Sequence, residues 1–326
     1  MHSDLDALVD RADLDEIIRR IDDLCSAREW TLLASLRDKA ALAVQTGRQT
    51  WPCATLANYR LALHGPADIA AGSLQHPTST FSVGPLTEVI AQNHTWAELE
   101  RHIQDAPVRG FVAYERALRG EGVPDDAALR AVLEIPINPA PWEPNYEPAI
   151  YDDNGVSAPT PQLNIAPTNE VECSPATTDA DPDIESAVRS VFEAWTTQSN
   201  GRVSFAATSG GIDSALGALG LSRARVSPLE PSQVLALVAW AGASGGAHGR
   251  RRGGAQGRFG AWWLATAMAD ALDEWPLTQG TLRAEMEELQ WFVWSTGEPA
   301  LGWQLQIAVW DPFNDMSWAF SARDMS

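Results

Sequence analysis

The chain has 326 residues, of which 45% are hydrophobic and 14 are tryptophan, and its formal net charge is −20 at pH 7. This length accommodates two domains and a sizeable core, and the composition fits a globular protein. The acidic balance argues against general nucleic-acid binding and against attachment to an anionic membrane surface.

The first 135 residues predict an all-helical domain. Between Leu14 and Leu24, apolar residues recur at the i, i+3, i+4, i+7 spacing of one helix face. Two capping-box patterns, Ser26-Ala-Arg-Glu29 and Thr95-Trp-Ala-Glu98, predict helix starts, because the first side chain accepts from the backbone and the glutamate reaches back. Short helices joined by Gly/Pro turns indicate either a helical-repeat array or an irregular bundle.

A proline-rich connector is predicted over residues 136–182. Its ten prolines exclude regular helix from most of the segment, since each one fixes φ and removes an amide donor. The third region, residues 183–326, predicts a mixed α/β domain. Its first helix is expected to begin at Asp183, which is a suitable N-cap residue.

The third region alternates strand and helix patterns. Val234 to Ala241 (V-L-A-L-V-A-W-A) is a wholly apolar run of strand length and predicts a strand covered on both faces. Trp303 to Val309 alternates apolar and polar residues, as a strand with one buried face does. The predicted elements are strands at 202–208, 234–241, 290–295, 303–310 and 316–321 and helices at 212–221, 259–272 and 281–289. The predicted fold class is α+β or mixed α/β: an N-terminal all-helical domain and a C-terminal mixed-sheet domain that ends in an antiparallel meander.

One glycine-rich loop joins the predicted strand at 202–208 to the helix that follows. Gly210 and Gly211 let the backbone turn tightly, and the helix start adds unpaired amides and the positive end of the dipole. The hydroxyls of Ser209 and Ser214 are candidate donors to phosphate, and Asp213 is a candidate ligand of Mg²⁺. The same residues also fit an ordinary strand-to-helix turn, with Asp213 and Ser214 as local caps.

The string S-G-G-I-D-S at Ser209 to Ser214 resembles the pyrophosphate-binding loop of the PP-loop ATP pyrophosphatases. Members of that family adenylate a substrate and release pyrophosphate. The resemblance implies that Ser209, Gly210, Gly211, Asp213 and Ser214 surround the phosphates of ATP, with Mg²⁺ as a companion cofactor. It covers six residues of the chain.

A second loop, Ser244 to Arg258, reads S-G-G-A-H-G-R-R-R-G-G-A-Q-G-R, and no Asp or Glu lies between Glu230 and Asp270. It follows the strand predicted at 234–241 and precedes a helix. If the two strands are parallel neighbours, both loops are expected at the same edge of the sheet, where open α/β sheets bind ligands. Its four arginines are candidate clamps for phosphate or carboxylate. They are Arg250, Arg251, Arg252 and Arg258.

His248, in the same loop, is a candidate donor or general acid–base. Two other interpretations of the loop remain open. The arginines can pair with the protein's own carboxylates, such as those of the helix Glu285-Met-Glu287-Glu288, or the loop can dock an acidic partner or a second subunit.

Two longer segments resemble uncharacterised proteins of high-GC actinobacteria. They are P-L-T-E-V-I-A-Q-N-H-T-W-A-E-L at Pro85 to Leu99 and G-A-S-G-G-A-H-G-R-R-R-G at Gly242 to Gly253. That group has no assigned activity, so the resemblance implies no catalytic residue.

The leading hypothesis is a cytoplasmic protein that binds a nucleotide or another phosphate-containing anion through the two loops. The compartment is favoured by three cysteines without a C-x-x-C pair, by an N-terminus without a signal-peptide pattern, and by the lack of an apolar run that spans a membrane. If the protein is an enzyme, nucleotidyl or phosphoryl transfer is expected, with His248 and Asp213 as catalytic candidates. The alternative is a non-catalytic interaction protein whose helical domain binds a partner and whose arginine loop forms internal or intersubunit salt bridges.

Overall fold

The computed structural model describes residues 2–76, 83–166, 168–299 and 301–325. It confirms the predicted fold class, with helices in the N-terminal part and a β-sheet with helices in the C-terminal part. The chain divides into two compact units, an N-terminal unit (up to Val132, with Ala149–Ala158) and a C-terminal unit (Leu133–Pro148, with the chain from Pro159). The segment predicted as a connector is therefore shared between both units. No described helix is both long and apolar enough to cross a membrane.

The N-terminal unit is built from helices and one short hairpin. Ile17, Ile21 and Leu24 are buried on one face of α2, as their spacing predicts, and pack with Leu33 and Leu36 of α3. The helices are α1 (His2–Arg11), α2 (Leu14–Ser26), α3 (Trp30–Gln45), α4 (Trp51–His64), α5 (Ala67–Gly72), α6 (Leu86–Asn93), α7 (Trp96–Leu99), α8 (Ala106–Leu118) and α9 (Ala127–Arg130). Strands β1 (Ile150–Asp152) and β2 (Gly155–Ser157) pair antiparallel.

The C-terminal unit contains one six-stranded sheet with the strand order β3–β5–β6–β7–β8–β4. Its strands are β3 (Asn169–Glu172), β4 (Arg202–Ser209), β5 (Arg223–Leu229), β6 (Gln290–Ser295), β7 (Trp303–Asp311) and β8 (Met316–Asp324). Its helices are α10 (Pro182–Val191), α11 (Glu193–Thr197), α12 (Ile212–Ala218), α13 (Pro231–Ala243), α14 (Gly254–Met268) and α15 (Gln279–Glu288). Every described strand pairing is antiparallel, so the sheet holds no parallel neighbours to bring two strand-to-helix loops together.

The two faces of the sheet are covered unequally. On one face, the aromatic residues of β7 and β8 meet those of the helical layer: Trp303 stacks on Trp240 of α13 at 5.1 Å, and Phe320 lies 5.9 Å from Phe192. On the other face, Ala215 and Leu216 of the seven-residue helix α12 pack with the core that contains Ala308 and Ala319. Because side chains alternate along a strand, Arg202 and Ser204 of β4 point to the same face as Ala206, which pairs with Ala319. They lie at the end of this face that α12 does not cover. We call this uncovered part the open face.

The apolar run at 234–241 forms the middle of helix α13, so the strand prediction is wrong. Helix α13 begins with Pro231 at its first turn, after a capping box in which Glu230 and Gln233 bond each other's backbone amides. Its interior is rich in alanine, the best helix former. Most of its residues are buried all round, so no polar face gives it a helical period.

Three helix starts test the capping predictions. The capping box of Thr95 and Glu98 is confirmed at α7. The Ser26–Glu29 box is wrong: Ser26 is the last residue of α2, and α3 begins at Trp30 without a side-chain cap. The N-cap of α10 is Asp181 rather than Asp183, because its carboxylate accepts from the amide of Ile184 and Pro182 occupies the first helical turn.

Candidate functional site

The S-G-G-I-D-S loop joins β4 to α12, so the predicted strand-to-helix placement is confirmed. The loop is bonded to the β7–β8 turn and to the start of β8, since the Gly210 amide donates to the Asp315 carbonyl (2.7 Å) and the Ser317 hydroxyl of β8 donates to the Gly211 carbonyl (3.0 Å). Gly210 has φ +92°, a conformation that favours glycine. These contacts are those of a tight turn.

Asp213 lies in the first turn of α12 and accepts from the Ser174 hydroxyl at 2.8 Å. No three His, Cys, Asp or Glu side chains of the described chain gather into a metal-binding group. The roles predicted for Ser209, Gly210, Gly211, Asp213 and Ser214 in binding ATP and Mg²⁺ stay predictions.

The arginine-rich loop connects two helices, α13 and α14, and not a strand to a helix as predicted. Its backbone is held by groups that the sequence did not single out. The Ala247 amide donates to Asp324 Oδ2 (2.7 Å) and the Arg250 amide to Gln198 Oε1 (3.1 Å). The Ser244 hydroxyl accepts from Trp195 Nε1 at 3.1 Å. The glycines of this loop serve a close, anchored connection between two packed helices.

Arg258 is fully buried in α14 and is therefore excluded from an exposed anion site, which corrects the prediction. Its Nε and Nη2 donate to the two carboxylate oxygens of Glu143, both at 2.8 Å. Glu143 also accepts from Tyr146 Oη (2.6 Å) and Trp262 Nε1 (3.1 Å). Burial by itself would raise the pKa of Glu143, but the hydrogen bonds and charge of Arg258 hold it below its ordinary value. The pair is a structural clamp between residues 133–148 and α14.

The other loop residues have different surroundings. Arg252 is half-buried: its Nη1 donates to the Ser190 carbonyl at 3.0 Å, and its Nη2 lies 3.7 Å from Glu193. His248 is exposed, and its backbone amide donates to Ser199 Oγ at 3.2 Å. Internal pairing thus accounts for Arg252 and Arg258, although through Glu193 and Glu143. The acidic helix α15 pairs its Glu287 with its own Arg283 at 2.7 Å. Anion binding by Arg250 and Arg251 stays a prediction.

The two glycine loops lie at opposite ends of β8. The S-G-G loop bonds to Asp315, just before β8 begins, and the arginine loop bonds to Asp324, its last residue. Nine strand residues rise about 3.4 Å each, which separates the loops by more than 20 Å. A composite site of His248 and the loop arginines with Ser209 or Asp213 is therefore not formed.

A different group of polar residues converges on the open face. A groove of about 560 Å³ lies there, at the end of the sheet that α12 leaves uncovered. Its floor comes from two antiparallel neighbours: Arg202 of β4 stands directly opposite Arg323 of β8, and Ser204 stands opposite Ser321. Both arginines are exposed.

Among the described residues, the lining of the groove has no carboxylate, although the protein carries 43 acidic residues. Within the described chain, neither Arg202 nor Arg323 forms an ion pair. Gln306, with its amide turned so that donors face acceptors, accepts from Arg323 Nη2 (2.7 Å) and donates to the Trp294 carbonyl (3.1 Å). This neutral contact fixes Arg323 against β7 and leaves its charge uncompensated.

The remaining lining of the groove is mostly apolar. Leu219 and Leu221, which follow α12, form one wall, together with Met325 and Trp294. Trp294 is 4% exposed, and its indole Nε1 has no hydrogen-bond partner among the described residues. Asn200 adds an amide at the rim, and a hollow of about 120 Å³ that contains Glu298 adjoins the groove at Arg323 and Met325. The groove therefore combines hydrogen-bond donors and positive charge with an apolar wall.

Sequence reasoning missed this groove because its residues are spread over three strands and the segments next to them. Arg202 and Ser204 alternate with Val203 and Phe205, and Ser321 and Arg323 alternate with Phe320 and Ala322. The polar alternation in each strand was a visible signal. The pairing of Arg202 with Arg323 depends on the β4–β8 register, which joins residues more than 100 positions apart.

Comparison with known families assigns the chain to a family but does not assign it an activity. The model of the family of unknown function DUF6183 matches residues 15–325, so the chain belongs to that family. No curated protein and no solved structure matches the chain.

Proposed function

We propose that this member of a family of unknown function binds a small organic anion in the groove of the open face. The observation that carries the proposal is the cross-strand pair of Arg202 and Arg323, which lies in a groove whose described lining includes no carboxylate, in a protein of charge −20. Like charges directly opposite each other in an antiparallel pair are destabilising. A bound anion between them removes this repulsion and supplies the missing counter-charge.

The size and chemistry of the groove suit a small molecule. A volume of about 560 Å³ lies within the usual range of ligand pockets, roughly 300–1,000 Å³. Arginine presents its donors in a planar fork that matches carboxylate and phosphate oxygens. Phosphate-containing compounds, nucleotides among them, are therefore the first ligands to test. The proposal is one of binding, since the described lining includes no His, Cys, Asp or Glu to act as a general base or a metal ligand.

The contacts of the arginine-rich loop support a structural role for that loop. The ion pairs of Arg258 with Glu143 and of Arg252 with Glu193 favour that part of the interaction-protein hypothesis in which the loop forms internal salt bridges. A partner-binding role for the helical unit and the nucleotide role of Ser209 to Ser214 are further proposals. The variants below separate the S-G-G loop from the open-face groove.

The test is a thermal-shift titration with inorganic phosphate, pyrophosphate and ATP, the last with and without Mg²⁺. A ligand at 100 times its Kd stabilises the folded state by about 2.7 kcal/mol. We expect a shift with at least one of these anions that is lost in Arg202→Gln and Arg323→Gln. It should be kept in Arg283→Gln, which removes an exposed arginine of α15.

Two results would count against the groove. A shift that Ser209→Ala abolishes, and that Arg323→Gln leaves intact, would place the site at the S-G-G loop. If none of these anions shifts the melting temperature of the wild-type protein, the proposed binding of a small anion is wrong. The apo variants provide a further check: Arg202→Gln should leave stability unchanged or raise it by a few tenths of a kcal/mol, since it removes a repulsion.

A further inference from the structure

We infer that the ligand of the open-face groove is a phosphate monoester with a compact apolar group, an inference that rests on the proposed function. It names the class of compound by matching each part of the ligand to a part of the groove. The charged end corresponds to Arg202 and Arg323, and the apolar end to the wall of Leu219 and Leu221.

The charged end calls for two negative charges and several acceptor oxygens. The Cβ atoms of directly opposite residues are about 5 Å apart, so the long side chains of Arg202 and Arg323 are able to converge on one bound group. Ser204 and Ser321 add two hydroxyl donors beside them. A carboxylate offers one charge and two oxygens, whereas a phosphate monoester offers three terminal oxygens and nearly two charges at neutral pH.

The apolar wall calls for an organic group on the phosphate. Leu219 and Leu221 are only partly buried, and they border the groove together with Met325. Inorganic phosphate would leave this surface in contact with water. A ring or short chain attached through the ester oxygen covers it, and burial of apolar surface strengthens binding.

The experiment is isothermal titration calorimetry of the full chain with phenyl phosphate, phenyl sulfonate and inorganic phosphate at about pH 8. Phenyl sulfonate keeps the ring and the tetrahedral oxygens but carries one charge. We expect phenyl phosphate to bind at least about tenfold more tightly than either of the other two, since each lacks one of the two features.

Titration at lower pH separates charge from shape. The second pKa of a phosphate monoester is about 6, so at about pH 5.5 phenyl phosphate is mostly a monoanion. Its affinity should fall toward that of phenyl sulfonate, whose affinity should not change. Among the described residues, the charged groups that line the groove are Arg202 and Arg323, and the adjoining hollow adds the carboxylate of Glu298. Glu298→Gln should leave the pH dependence in place.

Variants assign the apolar contact. Leu221→Ala should weaken phenyl phosphate several-fold and leave inorganic phosphate unchanged, and Leu219→Ala provides a second test if the first variant is poorly folded. Equal affinity for phenyl phosphate and inorganic phosphate would overturn the apolar part of this inference, and tighter binding of phenyl sulfonate at pH 8 would overturn the phosphate part. In both cases the groove remains an anion site. Failure of all three anions to bind overturns the proposed function itself.

Discussion

Single residues decide which arginines of this chain are free to meet an anion. Arg258 is surrounded by one carboxylate, two backbone carbonyls and the ring of Trp262, 5.3 Å from its guanidinium carbon. Arg202 and Arg323 stand on directly opposite residues of β4 and β8, in a groove whose described lining includes no carboxylate. From the sequence, Arg258 was named as a candidate anion-binding residue and Arg202 was not. A cluster of arginines can be read from a sequence, whereas the partner of each arginine in the fold cannot.

The Glu143–Arg258 pair makes a prediction about stability. Glu143→Gln should lower the free energy of unfolding by about 3–5 kcal/mol, because it leaves a buried guanidinium without its counter-charge. Arg258→Met should also lower the free energy of unfolding. The double variant should lose less free energy of unfolding than the sum of the two single losses, by about 1 kcal/mol or more. Urea denaturation followed by tryptophan fluorescence measures this, since ten of the 14 tryptophans lie at or beyond Trp195.

The pH dependence of the same pair has a definite sign. The pKa of Glu143 is lower in the folded protein than its ordinary value of 4.5, so its contribution to stability is complete above that value. The contribution is lost as the pH falls through the lowered folded-state pKa, and this loss should be absent in Glu143→Gln. Glu287→Gln, which breaks an exposed pair, is the matched control and should change stability by less than about 1 kcal/mol.

Additive losses of stability in the double variant Glu143→Gln/Arg258→Met would contradict the first of these predictions, because they would show that the two side chains do not stabilise each other.

At the scale of elements, the close packing of α13 on α14 depends on small residues at their crossing. A Cβ on Gly257 would overlap the carbonyl oxygen of Ala239 and lie 2.7 Å from the Cβ of Ala243. We expect Gly257→Ala to cost about 1–3 kcal/mol, since the helices must move apart to admit it.

Gly280 is the control for this prediction. It lies in α15 with open space where a Cβ would stand, so Gly280→Ala should be neutral or stabilise by up to about 1 kcal/mol. The midpoint of urea denaturation compares the two variants. A neutral Gly257→Ala would mean that α13 and α14 are not in close contact in solution.

The same elements show how much of the fold is predictable from sequence. Elements with a polar face were found: α2 and β7 follow their periodicity, and β4, β6 and β8 lie where strands were predicted. Helix α13 was mistaken for a strand because burial on nearly all sides leaves no period in its sequence. The groove could not be found, since strand register is set by tertiary packing and not by any one segment.

At the scale of the whole molecule, the distribution of charge is more informative than its sum. The formal charge of −20 makes most of the surface repel anions, so a site for an anion must be a local region from which acids are excluded. The arginine-rich loop is such a region in the sequence, and the groove that contains Arg202 and Arg323 is one that the described fold assembles. In the first, Arg252 and Arg258 contact the protein's own carboxylates, and in the second the arginines meet none in the described chain.

The most direct test of the central claim is NMR of the arginine side-chain Nε–H groups during titration with phenyl phosphate. The signals of Arg202 and Arg323 are assigned from their absence in the Gln variants. We predict that these two signals shift in proportion to ligand bound, while those of Arg258 and Arg283 stay in place. Shifts confined to Arg250 and Arg251, with Arg202 and Arg323 unmoved, would contradict the account and return the anion site to the arginine-rich loop.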